Sequence, residues 1–396
     1  MKTNPASNRS ITRRSFLQRS ALAAVAAGCA SPFWLRPAQA AVPAFAVTDT
    51  KVISLQPEYY IGWPTVARRG NGELWLAYSG GREGHVCPFG QVQAMTSKDN
   101  GETWTWPRVL LDGAIDDRDA GTLETDKGTL LVSTFTSLAY EPGLVAGEKS
   151  GKWAADKLAR WHGIHSRLSA EERKAELGQW MIRSTDGGIT WSERYPTIVN
   201  SPHGPVQLRD GRQLYAGKQL WTGGKRVGIC ESVNDGKSWD WVTELPVRAG
   251  DKASEYHELH AVEAENGKII VQIRNHNKPN AGETLQTEST DGGRTWTEPH
   301  SIGVWGLPSH LLRLSDGRLL MTYGHRRAPL GNQARISTDH GVTWSEPMIL
   351  SGDGNSGDLG YPSTVQLADG SLLTVWYELL KGSSRAVLRQ ARWKLS

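Results

Sequence analysis

The chain reads as an all-β protein, a six-bladed β-propeller with Asp-box turns and a small helical insertion, and two repeats carry that expectation. The first is the pattern Ser-x-Asp-x-Gly-x-Thr-Trp, found at 97–104 (SKDNGETW), 184–191 (STDGGITW), 232–239 (SVNDGKSW), 289–296 (STDGGRTW) and 337–344 (STDHGVTW). The third copy is loosened, with Asn234 and Ser238 in place of Asp and Thr. An Asp folded back on following N–H groups and a glycine free to take positive φ make a tight turn, and the Trp anchors it in apolar packing. The second repeat is an Asn/Asp/Lys-Gly turn entering an apolar strand: NGELWLAY from Asn71, KGTLLVSTF from Lys127, DGRQLYAG from Asp210, NGKIIVQI from Asn266, DGRLLMTY from Asp316 and DGSLLTVW from Asp369. Such turns between apolar segments signal hairpins. Their glycines, from Gly72 to Gly370, are 56, 83, 56, 50 and 53 residues apart, which is the length of a four-stranded blade.

Residues 1–40 stand outside this repeat. Arg9, Arg13, Arg14 and Arg19 precede a short apolar stretch at 21–30 and then Ala38-Gln39-Ala40. That pattern predicts a twin-arginine export signal cut after Ala40, and so a periplasmic or secreted protein; Gly28-Cys29 leaves a lipoprotein anchor open. Six of the 45 Lys and Arg residues and none of the 41 acids lie there, so residues 41–396 carry 39 basic against 41 acidic side chains. The basic character belongs to the signal. Nothing in the remainder points to nucleic acid, and no later apolar run is long enough to cross a membrane. Cys87 and Cys230 fall in different repeats, which argues against a disulfide and against a thiol nucleophile.

Within 41–396 each unit reads as strand A, the Asn/Asp-Gly turn, strand B, a connection, strand C, the Asp box and strand D, with the chain after Asp369 closing the ring. The 83-residue spacing marks an insertion at about 139–179. Ser169-Ala170-Glu171-Glu172 opens a helix through Leu177 with a capping-box pattern, and a shorter amphipathic piece lies around 152–161. The insertion is either a surface decoration or a rim over the central opening.

Alternate turns of a meander lie on opposite faces, so the A–B turns and Asp boxes share one face. The B–C connections and the entries to strand A share the other, and chemistry is sought there. Those connections hold Arg82-Glu83-Gly84-His85, Arg118-Asp119, His203, Lys218, residues 255–260 (EYHELH), Arg274-Asn275-His276, His310, His325-Arg326-Arg327, Tyr361 and Glu378. Charges recurring where inner strands begin or end imply a pocket for an anionic or polyhydroxyl ligand. On a regular strand Glu258 and His260 point to one side and His257 and Leu259 to the other. That opposition speaks against a zinc site at His257 and His260, and no metal or other cofactor is expected.

These residues carry a family resemblance over essentially the whole of 41–396. Five Asp boxes on a six-bladed pattern resemble the sialidase superfamily. More specifically, Gly360-Tyr361-Pro362-Ser363, then Asp369-Gly370, then Val375-Trp376-Tyr377-Glu378 resemble the sialidase segment with the nucleophilic Tyr and a terminal Glu. Glu258, followed by Ile273-Arg274-Asn275, resembles the Glu that pairs with that Tyr and a carboxylate-binding Arg. The chain departs from the family in two places. Gly62-Trp63-Pro64 stands where sialidases have Arg-Ile-Pro, so Arg82 or Arg118 is the candidate for the missing arginine, with Arg326 or Arg327 as the third. The acid/base Asp expected after Arg82 is replaced by Glu83 or His85.

The resemblance implies an exo-acting glycoside hydrolase that releases a terminal sialic acid or related acidic sugar from glycans. Tyr361 would attack the anomeric carbon with retention while Glu258 removes its proton, since a neutral phenol is a poor nucleophile. A glycosidase or polysaccharide lyase of the same fold acting on uronic or deoxy sugars, and a non-catalytic glycan-binding propeller, remain open beside it.

Overall fold

Apolar alternation folds each repeat into an antiparallel four-stranded sheet, and the computed structural model shows six such sheets among the described residues, 44–221 and 223–395. The export-signal segment and Cys29 lie outside those residues. The innermost strands are Tyr60–Arg68, Asp116–Glu124, Val206–Gln207, Tyr256–Glu263, Ser309–Arg313 and Leu359–Gln366, packed against one another around a common axis. No helix is long and apolar enough to cross a membrane among the described residues.

Ring closure differs from the expectation. The last sheet runs Leu359–Gln366, Leu372–Leu379, Ala386–Leu395 and then Phe45–Val52, so its outermost strand comes from the start of the described chain. Phe45 pairs with Leu395 and Val52 with Arg389. Because that fourth strand arrives from elsewhere, the sixth blade has no C–D turn, which is why six blades carry five Asp boxes.

Each box also joins two blades. In the first copy the Asp99 carboxylate accepts from the Thr103 N–H at 2.9 Å and the Thr103 hydroxyl at 2.5 Å, while Gly101 N–H donates to Ser97 Oγ at 2.8 Å. The fifth glycine-bearing position takes φ of 75–89° in all five copies, at Gly101, Gly188, Gly236, Gly293 and Gly341. A methyl at these glycines would lie 2.4 to 3.2 Å from Leu373, Trp75, Leu131, Leu214 or Ile270, each on the preceding blade. The box Trp residues continue this link: Trp104 Nε1 donates to Gln390 and Trp344 Nε1 to Gln286, both at 2.9 Å.

The insertion holds three helices, Glu141–Ser150, Ala155–His165 and Ala170–Ala175, the first of them not expected. Ser169 and Glu172 form the capping box, with Ser169 N–H donating to Glu172 at 2.7 Å. Trp161, Tyr140 and Leu144 bury against Cys87. The helices therefore pack on the B–C connection of blade 1, on the face away from the Asp boxes.

Candidate active site

Four innermost strands carry the same irregularity at that end of the axis. In each, two residues stand opposite one on strand B: the ladder skips between Gly62 and Thr65, Arg118 and Gly121, His257 and His260, and Gly360 and Ser363. The first residue of each bulge is left-handed: Trp63 (φ 53°), Asp119 (φ 55°), Glu258 (φ 44°) and Tyr361 (φ 54°). Bulges re-aim side chains, and non-glycine residues persist at positive φ where surroundings over-determine them. The bulge also corrects the simple alternation read for residues 257–260. His260 joins a buried cluster on the axis instead of sharing a side with Glu258.

Tyr361 and Glu258 meet as expected. The Tyr361 hydroxyl donates to Glu258 Oε1 at 2.6 Å, Arg274 Nη1 reaches Glu258 Oε2, and the same Nη1 lies 3.1 Å from the Tyr361 oxygen. Burial pushes the Tyr361 phenol well above its ordinary range, and the neighbouring Glu258 charge adds to this. Burial opposes ionisation of Glu258 too, but Arg274 and the Tyr361 hydroxyl hold its pKa below the usual carboxylate value. The resting pair is thus a neutral phenol on a carboxylate.

Around it lie groups of two kinds. Trp63 sits with its ring 6.4 Å from Tyr361, 5.7 Å from Tyr377 and 4.9 Å from His85. The Arg118 guanidinium lies 4.8 Å from the Trp63 centroid, with Nε buried and lacking a partner among the described residues. Arg326 holds the Leu359 carbonyl through Nε and Nη2, 6.0 Å from the Tyr361 ring centre. Asp119, only 8% exposed, has its carboxyl pushed up to about 7 by burial and by the Glu258 charge. His85 Nδ1 is 2.9 Å from Asp358, which also accepts from Tyr60 at 2.9 Å and Tyr377 at 3.0 Å. Burial disfavours the Asp358 charge, but these bonds hold its pKa low.

Four of the expected residues are placed elsewhere. Arg82 is fully buried and forks onto Asp116 at 2.7 and 3.0 Å, whereas the Arg118 guanidinium lies against the Trp63 ring. Glu83 accepts from Arg160 at 2.8 Å and Trp161 at 2.9 Å, tying down the insertion. Arg327 stacks on Trp305, 4.0 Å from its ring centre. Glu378 is buried under Trp376 and Arg389. Asp358, Tyr60 and Tyr377 were not singled out from the sequence as site residues. Asp358 precedes the Tyr361 motif by three positions, and that proximity is the one available signal.

Glu255, His257 and His276 form the one cation-sized donor group found among the described residues. His276 Nε2 accepts from Arg274 Nε at 2.7 Å, and Lys218 Nζ lies 3.5 Å from His257. Burial and the Lys218 charge lower His257 to about 4. A cation here would face Arg274 and Lys218 directly, so the donor set fits a metal and its surroundings do not.

Comparison with known proteins agrees with the propeller fold. A family model described as a BNR repeat-like domain matches residues 144–374, more than half of the chain. A sialidase of Bacteroides fragilis (strain YCH46) is 25% identical over 71% of this chain and 53% of its own length. The chain spans about half the length of the curated relatives it matches. Among solved structures, a protein of unknown function from Dyadobacter fermentans DSM 18053 superposes with a TM-score of 0.73 at 24% identity, covering 90% of this chain and 100% of that one. A Streptococcus pneumoniae sialidase superposes with a TM-score of 0.61 at 14% identity, over 89% of this chain and 71% of that one. The ring of six blades, the Asp boxes and the matched model lead to one assignment: the chain belongs to the BNR repeat-like domain family and has the propeller of the sialidase superfamily.

Proposed function

We infer that the protein is an exo-acting glycosidase of sialidase type, releasing a terminal sialic acid or related acidic sugar from glycans with retention. The observation that carries this reading is the bonded set of Tyr361, Glu258 and Arg274 at the mouth of the ring. As the Tyr361 oxygen bonds to the anomeric carbon, its proton passes to Glu258 and the bond to the leaving oxygen breaks. Arg274 steadies the charge on this pair throughout. The leaving oxygen needs a proton, and Asp119, raised to about 7, is protonated below neutrality and stands beside Glu258. His85, oriented by Asp358, is the second donor in reach of Trp63. Water then cleaves the tyrosyl adduct with the same donor acting as base.

Three guanidiniums favour an anionic sugar. Arg118 lacks a hydrogen-bond partner, and Arg274 Nη2 and Arg326 Nη1 are left over after the bonds already described, among the described residues. The Bacteroides relative, a sialidase, supports the same class. The export signal read from residues 1–40 would place the enzyme in the periplasm or outside the cell, where glycans are met.

The test is Tyr361→Phe, assayed on aryl glycosides of sialic and uronic acids, with intact-protein mass after a fluorinated sugar. Turnover should be nearly abolished, with the adduct on Tyr361 in the parent protein. Rates near those of the parent would overturn the mechanism, and an unsaturated product absorbing in the ultraviolet would move Tyr361 to the role of a lyase base.

A further inference from the structure

A second cavity, of about 700 Å³, opens on the axis at the opposite, Asp-box end of the ring. Its floor is three histidines from successive blades, His203, His260 and His310, with ring centres 4.6 to 5.4 Å apart. All three are buried, at 2%, 4% and 7% exposure. Backbone donors decide their tautomers. Leu311 N–H donates to His260 Nδ1 at 2.9 Å and Thr364 N–H to His310 Nδ1 at 3.5 Å, so the proton of each neutral ring sits on Nε2. His203 is the opposite case. The Thr65 hydroxyl gives its proton to the Pro202 carbonyl and so accepts from His203 Nδ1 at 3.4 Å, which leaves Nε2 as a lone-pair acceptor. That atom is buried without a partner among the described residues.

The floor therefore offers two N–H donors and one acceptor. A metal is excluded by the same bonds, since the Nε2 atoms of His260 and His310 would have to lose their protons to ligate one. Burial keeps the rings neutral, with His310 lowered to about 3. The mouth is different in character: Arg68 and Arg313 line it without an ion-pair partner among the described residues, Glu265 is the one acid there likewise without one, and Glu124 and Arg209 are paired with Arg69 and Glu263. Val66, Leu311 and Val365 form walls between.

We propose that this cavity is a second ligand site, taking a sugar acid of monosaccharide size with hydroxyls on the histidine floor and carboxylate at Arg68 and Arg313. A hydroxyl both donates and accepts, which matches the mixed floor, whereas a carboxylate only accepts and matches the guanidiniums. The volume lies in the range of small-molecule sites. The proposal stands whether or not Tyr361 is a nucleophile, because the two sites occupy opposite ends of the axis.

The probe is D-glucuronate, with D-glucose as the neutral control, followed by nitrogen-15 resonances of the histidine rings. Glucuronate should shift the Nε2 signals of His203, His260 and His310. Arg68→Ala with Arg313→Ala should weaken that response at least about tenfold while turnover and melting temperature stay at the parent values. Arg274→Ala, at the other end, should leave the response intact. Unmoved histidine signals at about 100 mM glucuronate, equal shifts with glucose, or loss of the response in Arg274→Ala alone would each overturn the proposal.

Discussion

The Asp boxes and the innermost-strand bulges lie at opposite ends of the same ring, and both need left-handed backbone. The boxes meet that need in turns, with glycine at 75–89° at the fifth position and Asn100, Gly187, Asp235, Gly292 and His340 at 57–77° at the fourth. The bulges meet it with Trp63, Asp119, Glu258 and Tyr361, at about 1–3 kcal/mol of strain each. One end is thus built for stability, with each turn locked onto the blade before it. At the other, backbone strain and buried charge are retained so that a phenol, a carboxylate and a carboxylic acid converge. The difference is one of placement: in the boxes left-handed residues sit in turns between strands, whereas Trp63, Asp119, Glu258 and Tyr361 hold that conformation inside the innermost strands, at bulges beside the axis.

The comparison is tested most strongly at Glu258. Glu258→Gln keeps the side chain's shape but removes the proton acceptor, and turnover should fall about 10³-fold with the melting temperature nearly unchanged. A rate within tenfold of the parent would mean that the bulged pair is structural.

Asp119 comes next, because its pKa links activity to stability. A carboxyl raised from about 3.9 when unfolded to about 7 when folded contributes stability that is complete below pH 4 and lost as pH rises through 7, by up to about 4 kcal/mol. Asp117, raised to about 7 by burial, adds to the same limb. Asp119→Asn, which also suits left-handed backbone, should flatten that limb in denaturant titrations from pH 4 to 9 while lowering turnover about 10²-fold or more. An unchanged stability profile would show that Asp119 is ionised in the folded protein.

At the box end, Gly341→Ala adds a methyl 2.4 Å from Ile270 at φ 80° and should cost about 2 kcal/mol or more, without a change in KM. The smallest effect has the opposite pH sign. Hydrogen bonds from Thr103 lower Asp99 to about 2, so its contribution is present above about pH 4 and lost as pH falls through 2. Asp99→Asn should remove that acid limb at a cost below about 1 kcal/mol, given its exposure. Asn234 already occupies this position in the third box and accepts from Ser238 N–H at 3.0 Å. A loss at Asp99→Asn larger than at Gly341→Ala would reverse this ordering of the box.

The repeated features were legible in the sequence because their physics is local: an Asp, a Gly and a Trp at fixed spacing suffice to give a turn, and five copies give the ring. Tyr361, Glu258 and Arg274 were legible through resemblance. Three features were not. The bulge at Glu258 and Leu259 leaves no local trace, so alternation put His260 on the wrong side. Arg82 and Arg118 look alike in sequence, and only the buried Asp116 beside the first decides which is free. Helix Glu141–Ser150 contains Pro142, Gly143 and Gly147, a poor helical pattern, but Gly147 lies where a methyl would meet Trp153 at 2.5 Å, so its packing is tertiary.

The pairing of Phe45 with Leu395 means that the blade completed last in space is assembled from both ends of the described chain. Its endpoints are neighbours on one sheet edge, and the order of blades around the ring is indifferent to where the polypeptide is cut. Joining residues 45 and 395 with a short linker and opening the chain at the exposed Asn71-Gly72 turn should therefore yield a circularly permuted ring with the same blades and the same central site. Such a permutant would exchange a closure made by non-covalent strand pairing for a covalent one, and would make its remaining seam the only place where the ring can begin to unzip.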